Sequence, residues 1–428
     1  AQLMAAESRT DRMAGPASTV APFRPATGPL PPRLRPQADL GVLDATEWYG
    51  ETSGGIRTYL HEKARFVNRH RQFRQSIVVP GAIDAVDDHE GVRTFQLRGP
   101  SIPRHRPYRM MLSTRSLARI VRHERPDVIE IGSPFMVPWL LAPEARRLGI
   151  PMVCFHHTDL AGVLSRTVGS RYRLRTTVAS LSWRYLRRLD RHFGATIVAT
   201  RGGAAELEEH GLSNVVHVPL GVDVEMFSPS RRAFREDVRA ALGLPDTLLA
   251  AFVGRFAREK ELDVVLDGWA RVERATGARL LLVGAGPEEA RLRAHPYGPR
   301  VIFLPFVQER APLANLLAAI DVYVAAGPAE TFGLSAIEAM ATGTPVLTAN
   351  RGAVAEHVLR GGGGQLFEAG NMASVTEVAA QLLGGGSNGA LQELGERAHR
   401  FAVSEHAWDT VLRRLFSVYQ RVATAHAG

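Results

Sequence analysis

Short apolar runs alternate with longer amphipathic stretches along most of the chain. Apolar runs of strand length, buried on both faces and separated by helices, are typical of parallel sheets. There are too many such runs for one ordinary doubly wound sheet, so the pattern predicts an α/β chain with two Rossmann-like domains. The runs that predict strands lie at 41–45, 76–80, 127–131, 152–155, 195–199, 248–253, 279–284, 301–305, 321–325 and 345–349.

Breaks in this pattern predict the domain order. Residues 1–38 are rich in Pro, Ala and Arg, lack periodicity and are predicted to form a disordered tail. The segment VPLGVDVEMFSPS at 218–230 is the expected seam, which gives domains at 39–222 and 223–405. A helix at 406–428 is expected to pack back on the first domain. Because open α/β sheets bind ligands at the carboxyl ends of their strands, the two domains are expected to face a common cleft.

Composition limits the classes of protein to consider. The chain has 428 residues, 45% of them hydrophobic, which is enough for two domains with cores of their own. The single cysteine, Cys154, excludes an internal disulfide and a cysteine-based metal site and favours a reducing compartment. No apolar run approaches the roughly 18–20 residues of a membrane helix, and no signal-peptide pattern is found. The expected location is cytoplasmic, with a peripheral position on the inner face of the cytoplasmic membrane as an option.

The charge is positive and unevenly distributed. A net charge of +9 suits nucleic acid, anionic lipid or a phosphorylated substrate. The densest basic region, 166–194, has eight arginines against one acid, Asp190, interspersed with aromatic and leucine side chains. It is either a solvated helix face or a surface for anionic lipid headgroups, and no nucleic-acid motif accompanies it. The only lysines, Lys63 and Lys260, indicate positions at which an arginine could not fill the same role.

The stretch FVGRFAREKELDVVLDGW at 252–269 carries a cation on each side of a strand-to-helix turn, Arg255 and Lys260. Helix-terminal N–H groups and two cations suit a diphosphate, and each charge-assisted contact is worth roughly 1.5–3 kcal/mol. The alternative is an ordinary loop with solvated charges. The next turn, in LLVGAGPEEARL, does not complete G-x-G-x-x-G because Glu289 occupies the last glycine position. It is therefore interpreted as a tight turn and not as a nicotinamide site.

Two glutamates flank a Phe-Gly pair in PAETFGLSAIEAMATGTPVL at 328–347. Glu330 lies in the predicted loop and Glu338 lies one turn inside the following helix. Gly333 permits a ligand to approach the backbone closely, and carboxylates are good acceptors for the vicinal hydroxyls of a ribose or a hexose. Taken alone, Glu338 is better interpreted as a solvated helix residue.

Two further candidates lie in the first half of the chain. The pair Gly54-Gly55 follows a predicted strand, where backbone N–H groups can reach an oxyanion or a sugar. The stretch CFHHTDL places His156 and His157 at the carboxyl end of another strand. Adjacent residues of an extended chain project to opposite faces, so a role in the cleft for one histidine is favoured over a shared metal.

These segments together resemble the family 4 retaining glycosyltransferases, whose fold is called GT-B. The resemblance runs from about residue 40 to the C-terminus. Glu330 and Glu338 match the family's E-x7-E motif, VGRFAREK matches its Gly-Arg…Lys phosphate motif, and VPLGVDVEMFSP matches its inter-domain segment. The chain departs from the family pattern at Glu261, where many members have Gly, and at Thr200, where Ser is usual.

The resemblance implies a role for each matched residue. Arg255 and Lys260 would clamp the donor diphosphate. Glu338 would bind the nucleotide ribose and Glu330 the hydroxyls of the donor sugar. The other matched residues are candidates for contact with the donor or the acceptor, through backbone N–H groups beside Glu330, through the N-terminal glycine loop or through a cleft histidine: Phe332, Gly333, Leu334, Gly54, Gly55 and His157.

The predicted function is that of a retaining glycosyltransferase. It would move a hexose from a UDP- or GDP-sugar to a hydroxyl acceptor, namely a membrane lipid, a lipid-linked glycan or a polyol. No metal or other cofactor is expected, because the two cations and helix N-termini would neutralise the leaving diphosphate. The alternatives are a GT-B sugar-nucleotide epimerase, which would share the nucleotide site, and a non-catalytic GT-B protein that binds lipid.

Overall fold

The computed structural model describes residues 21–22, 26–49, 54–89, 91–102, 108–156, 172–385 and 388–427. The chain divides into two compact units. The C-terminal unit contains Pro219–Val411, and the N-terminal unit contains Ala14–Val218 together with Leu412–Gly428. These boundaries lie close to the predicted ones at 222/223 and 405/406. Of the predicted disordered tail, residues 1–20 and 23–25 lie outside the described residues.

Residues 26–38 of the predicted tail pack on the N-terminal unit. Leu30 lies against the unit's hydrophobic core. The carbonyl groups of Pro31 and Pro32 accept hydrogen bonds from Arg93, at 3.1 and 2.8 Å. The guanidinium of Arg35 donates to the carbonyl of Val67 at 2.9 Å. Because these contacts use mainly backbone carbonyls, the hydrophobic pattern of the segment does not reveal them.

The N-terminal unit is built on a sheet in the order β1-β4-β5-β3-β2-β6-β7-β8-β9. Its pairings are parallel except those of β4, which runs antiparallel to β1 and β5. The strands are β1 (Ala21–Pro22), β2 (Leu40–Ala45), β3 (Phe73–Gly81), β4 (Ala85–His89), β5 (Val92–Arg98), β6 (Val128–Ile131), β7 (Met152–His156), β8 (Phe193–Val198) and β9 (Val215–His217).

Helices in this half of the chain follow the strands. They are α1 (Gly54–Arg69), α2 (Thr114–Glu124), α3 (Val137–Leu148), α4 (Tyr172–Asp190) and α5 (Arg201–Glu209). Helix α2 shows why such segments fold locally. Ser113 caps its N-terminus by accepting a hydrogen bond from the backbone of Ser116. Leu117, Ile120 and Val121 then fall on one face, and all three are buried in the core.

The C-terminal unit has a parallel sheet in the order β12-β11-β10-β13-β14-β15. Its strands are β10 (Leu249–Val253), β11 (Arg279–Val283), β12 (Ile302–Leu304), β13 (Val322–Ala325), β14 (Val346–Ala349) and β15 (Gly364–Phe367). The helices in the rest of the chain are α6 (Arg235–Ala241), α7 (Leu262–Thr276), α8 (Glu289–Arg293), α9 (Arg310–Ala319), α10 (Leu334–Ala341), α11 (Ala353–Gly361), α12 (Met372–Gly384), α13 (Asn388–His406) and α14 (Trp408–Ala427).

The strand order of the C-terminal sheet fixes where a ligand can bind. The chain builds outward from β10 to β12, then returns to place β13 on the other side of β10. This is the order of dinucleotide-binding folds, and ligands in such sheets bind where the direction reverses, outside the carboxyl ends of the strands. The predicted α/β class is confirmed, and a ligand of this unit is expected at the carboxyl ends of the neighbouring strands β10 and β13.

A buried ionic cluster ties helix α14 to the core of the N-terminal unit. Lys63 of α1 is fully buried, and its ammonium donates to Asp44 at 2.6 Å and to the hydroxyl of Tyr419 at 2.7 Å. Glu130 lies 3.3 Å from the same ammonium and accepts from the hydroxyls of Tyr59 and Tyr419. Strands β2 and β6 therefore share one cation with the C-terminal helix.

The cluster holds two acidic groups against one cation. Burial raises the pKa of Asp44 to about 7, with Lys63 opposing the shift and Glu130 adding to it. A compact ammonium with three rotatable donors can serve oxygens on three different elements, whereas a planar guanidinium has a fixed fork. An arginine at position 63 could therefore not make the same set of contacts.

No helix within the described ranges is both long and apolar enough to cross a bilayer.

Candidate active site

The candidate residues of the C-terminal unit follow the two strands that border the reversal point. Arg255 and Lys260 come after β10, and Glu330 comes after β13. The two strands are hydrogen-bonded neighbours, and the buried hydroxyl of Tyr323 in β13 donates to the carbonyl of Val253 in β10 at 3.2 Å. The site residues are therefore presented from one edge of the sheet.

Lys260 ends a short 3-10 turn, Arg258–Lys260, that leads into α7. Gly327, after β13, packs directly on this turn. A Cβ atom at Gly327 would overlap the carbonyl oxygen of Glu259 and the Cα of Lys260. The two loops can approach this closely only because Gly327 has no side chain.

Lys260 and Glu330 form an ion pair across the two loops. The side chains are 18% and 26% exposed, so the pair borders solvent and can be reached by a ligand. An ammonium has three donors and a carboxylate about four acceptor positions. Each group can therefore hold its partner and a ligand at the same time.

Glu261 has a left-handed backbone, with φ 46° and ψ 38°, at the start of α7. Left-handed geometry costs a non-glycine residue roughly 1–2 kcal/mol. We expect Glu261→Gly to raise the free energy of unfolding by about 0.5–1 kcal/mol, part of the gain being offset by the entropy of glycine in the unfolded chain. Thermal unfolding measures this. Glu259→Gly is the matched control and should not stabilise the protein. A lower melting temperature for Glu261→Gly would contradict the strain argument.

The loop that carries Glu330 is held in place by packing of the residues that follow Glu330. Gly333, the residue before α10, has φ +81°, and a Cβ atom there would overlap Val354. Phe332 is buried, and its carbonyl accepts a hydrogen bond from Nε2 of His357 at 2.8 Å. The rings of Phe332 and His406 meet edge to face at 5.5 Å. This packing fixes the backbone of the Phe332–Leu334 segment.

His406 makes the stability of this unit dependent on pH. Burial lowers its pKa to about 3, with His357 adding to the shift. A folded pKa below the unfolded value of about 6.5 means that its stabilising contribution is complete above pH 6.5 and is lost as the pH falls toward 3. Because the amide nitrogen of Asn is bonded to Cγ, as Nδ1 of His406 is, Asn can keep the hydrogen bond to the Leu220 carbonyl. We therefore expect His406→Asn to reduce the loss of unfolding free energy between pH 7 and 5 by about 2 kcal/mol. Denaturant unfolding at both pH values checks this, and equal losses in both proteins would contradict it.

Glu338 is buried, not a solvated helix residue. Its side chain is 3% exposed and accepts a hydrogen bond from Arg310 at 2.6 Å. Burial raises the pKa of Glu338, and Arg310 opposes the shift. Burial also raises the pKa of the nearby Tyr323, whose hydroxyl bonds Ser335 of α10 at 2.7 Å. The alternative of a surface carboxylate is therefore wrong.

Arg255 is exposed. Among the residues that the structure describes, its guanidinium makes no ion pair or hydrogen bond, and so none with the Lys260–Glu330 pair.

The glycine turn after β11 is a packing feature. Cβ atoms at Gly284 and Gly286 would overlap the carbonyl oxygens of Gly254 and Phe256. Direct backbone contact explains these glycines.

The remaining candidates belong to the N-terminal half of the chain. Gly54 and Gly55 are the first residues of α1, and the space around Gly55 is open. His156 ends β7. His157 lies outside the described residues. The structure thus brings Lys260, Glu330 and the segment before α10 together, and it places the glycine pair on another unit.

The residues that sequence reasoning missed support the motif from outside it. Arg310 pairs with Glu338, and His357 holds the Phe332 carbonyl. Gly327 makes room for the Lys260 turn. Gly327 could have been noticed in the sequence, because it is a glycine two residues after a predicted strand. Nothing in the sequence around Arg310 or His357 indicates their contacts. Within the described ranges, no group of three or more His, Cys, Asp or Glu residues can hold a metal ion.

Two family models match the chain. "Glycosyltransferase Family 4" matches residues 53–226, and "Glycosyl transferases group 1" matches residues 247–384. Together they fall on the two halves that contain the two sheets.

Relatives and a solved structure agree with these matches. A GDP-mannose-dependent alpha-(1-6)-phosphatidylinositol dimannoside mannosyltransferase of Mycobacterium tuberculosis is 32% identical over 74% of this chain and 81% of its own length. A GDP-mannose-dependent alpha-mannosyltransferase of Corynebacterium glutamicum is 28% identical over 78% of this chain and 77% of its own. Sucrose-phosphate synthase of Thermosynechococcus elongatus superposes with a TM-score of 0.71 at 20% identity, covering 90% of this chain and all of that one.

The fold and the matched relatives define a GT-B glycosyltransferase that uses a nucleotide sugar. The chain belongs to the family 4 glycosyltransferases.

Proposed function

We propose that the protein transfers a mannosyl residue from GDP-mannose to a hydroxyl group on the polyol headgroup of a membrane lipid, with retention at the anomeric carbon. The observation that carries this proposal is the Lys260–Glu330 pair at the reversal point of the C-terminal sheet, with Glu338 buried behind it. The choice of donor and acceptor rests on relatives that depend on GDP-mannose, one of which acts on a phosphatidylinositol dimannoside.

In the proposed reaction Lys260 binds a phosphate oxygen of the donor while it keeps Glu330 as its partner. Arg255, whose exposed guanidinium makes no ion pair with a described residue, adds a second cation from the same loop. Positive groups placed where the leaving diphosphate gains charge stabilise the transition state, and this contribution is often the largest single one. We propose that these cations and the nearby helix N-termini do this without a metal ion.

Glu330 would bind hydroxyls of the mannosyl group, helped by N–H groups of Phe332, Gly333 and Leu334. Glu338 would accept hydrogen bonds from the ribose. In the chemical step the bond from the anomeric carbon to the phosphate oxygen breaks, and a bond to the acceptor oxygen forms on the same face. The acceptor proton passes to the departing phosphate. Gly54, Gly55 and His157 are the proposed residues of the N-terminal unit near the acceptor.

The acceptor proposal includes a membrane surface on the N-terminal unit. Helix α4 buries Leu186 and Leu189, while Arg184, Arg187 and Arg188 are exposed. A cationic helix face of this kind suits anionic headgroups, at about 1 kcal/mol for each basic residue near the surface. Flotation with vesicles of anionic phospholipid tests it. Binding at low salt that disappears at high salt supports the membrane proposal, and no binding at either salt removes it.

A transfer assay tests the function. The enzyme is incubated with radiolabelled GDP-mannose or UDP-glucose and vesicles containing phosphatidylinositol mannosides, and the label is followed into the lipid phase. The proposal expects label from GDP-mannose in the lipid phase and α-linked mannose in the product. Label in the lipid phase from UDP-glucose, with none from GDP-mannose, would overturn the proposed donor. Conversion of the nucleotide sugar to an epimer without any acceptor would overturn the transferase reaction.

A further inference from the structure

We propose that Arg310, which lies outside the family motif, is a positioning residue that holds Glu338 in the orientation needed to bind the ribose of the donor. The inference rests on the proposed function, because it takes Glu338 as the ribose ligand.

The carboxylate of Glu338 is held by one oxygen. Nη1 of Arg310 donates to Oε1 at 2.6 Å. No other hydrogen bond from a described residue reaches this carboxylate. Oε2 is therefore left as an acceptor, and one carboxylate oxygen can serve more than one hydroxyl. Arg310 fixes the plane of the carboxylate without using the oxygen that a ribose needs.

Arg310 is itself held in place. It is the first residue of α9, and its guanidinium carbon lies 4.7 Å from the centre of the buried Phe227 ring. The segment that contains Phe227 is tied to the same helix, because Arg231 donates to Asn315 at 2.6 Å. A guanidinium stacked on a fixed ring keeps its planar fork oriented. The side chain is 35% exposed, and the contacts that hold its guanidinium are the Phe227 ring and the carboxylate of Glu338.

The charge of Arg310 is needed because Glu338 is buried. A buried carboxylate without a partner either takes up a proton or moves toward water. Either change weakens it as an acceptor for hydroxyl groups. Loss of Arg310 should therefore weaken the contact with the ribose and leave contacts with the base and the diphosphate as they are.

Calorimetric titration with GDP and with 2′,3′-dideoxy-GDP separates these contacts. For the unmodified enzyme we expect GDP to bind about 10- to 100-fold more tightly, the range for hydrogen bonds to a charged group. In Arg310→Leu the affinity for GDP should fall by about that factor, while the affinity for the dideoxy analogue changes by less than about 3-fold. The preference for the ribose hydroxyls then disappears. Arg310→Lys keeps the charge, so this variant should again bind GDP more tightly than the dideoxy analogue.

Arg235→Leu is the matched control. Arg235 pairs with Asp321 at 2.8 Å in the same unit, but at the amino end of β13. Its loss removes an arginine–carboxylate pair away from the proposed site, and both affinities should stay at the level of the unmodified enzyme. Thermal unfolding of each variant establishes that it is folded.

The outcomes separate the inference from the function on which it rests. Equal losses for GDP and its dideoxy analogue in Arg310→Leu would assign Arg310 a general structural role and overturn the inference, and so would an unchanged preference. Glu338→Ala, which has no side-chain acceptor, is the reference. If it keeps the preference, Glu338 is not the ribose ligand and the inference falls with it. The mannosyl transfer assay then still decides the proposed function.

Discussion

Lys260→Ala is expected to lower the rate of glycosyl transfer at least about 100-fold while leaving the protein folded. Lys260 stands at the reversal point of the C-terminal sheet and pairs with Glu330. Removing one preorganised donor that faces developing negative charge typically costs 100- to 1,000-fold in kcat. Glu330→Ala is expected to have an effect of similar order, because Lys260 loses the group that orients it and the sugar loses an acceptor.

The measurement is turnover of the nucleotide sugar under saturating donor and acceptor. Arg258→Ala is the matched control, because Arg258 is an exposed cation of the same 3-10 turn. Its turnover should lie within about 3-fold of that of the unmodified enzyme, a difference of less than 1 kcal/mol in activation free energy. Near-normal turnover in Lys260→Ala or Glu330→Ala, with the variant folded, would remove these residues from the active site.

Lys63→Met is expected to lower the free energy of unfolding of the N-terminal unit by about 3–5 kcal/mol, the cost of removing one partner of a buried ionic group. The change leaves Asp44 and Glu130 buried without their cation. It also removes the hydrogen bond by which α1 holds Tyr419 of α14. Denaturant unfolding followed by tyrosine and tryptophan fluorescence measures the loss.

A neighbouring ion pair on α1 provides the control for this prediction. Arg65 pairs with Glu62 at 2.7 Å, and the arginine side chain is 57% exposed. Exposed pairs contribute little, so Arg65→Met should change the stability by less than about 1 kcal/mol. A Lys63→Met variant no less stable than Arg65→Met would show that the buried cluster is replaceable by apolar contacts.

The hydrophobic pattern was sufficient for the strands that lie inside the sheets. Strands such as β10 and β13 are continuous apolar runs because helices cover both faces. The pattern failed at β4, which is mostly polar and runs antiparallel beside the edge strand β1, and at β5, where polar residues interrupt the apolar ones. It also failed at β9, which has three residues, and at β15, which begins at a glycine. Partly covered or short strands lack the signal on which the prediction depends.

The candidate site was predictable where its chemistry is compact in sequence. Glu330 and Glu338 are eight positions apart, and Lys260 follows a recognisable strand-to-helix turn. Contacts between distant segments were not predictable. Arg310 precedes its partner Glu338 by 28 residues, and Lys63 lies 356 residues from Tyr419. A single sequence does not indicate which distant residues will contact each other, and such contacts are seen only in the folded chain.

A crystal structure of the enzyme with GDP-mannose tests the central claim most directly. The account predicts the diphosphate between Arg255 and Lys260, with a phosphate oxygen about 3 Å from Nζ of Lys260. It also predicts a ribose hydroxyl about 3 Å from the carboxylate of Glu338 and hydroxyls of the mannosyl group at Glu330. A nucleotide bound away from the carboxyl ends of β10 and β13, with Lys260 and Glu338 untouched, would contradict it.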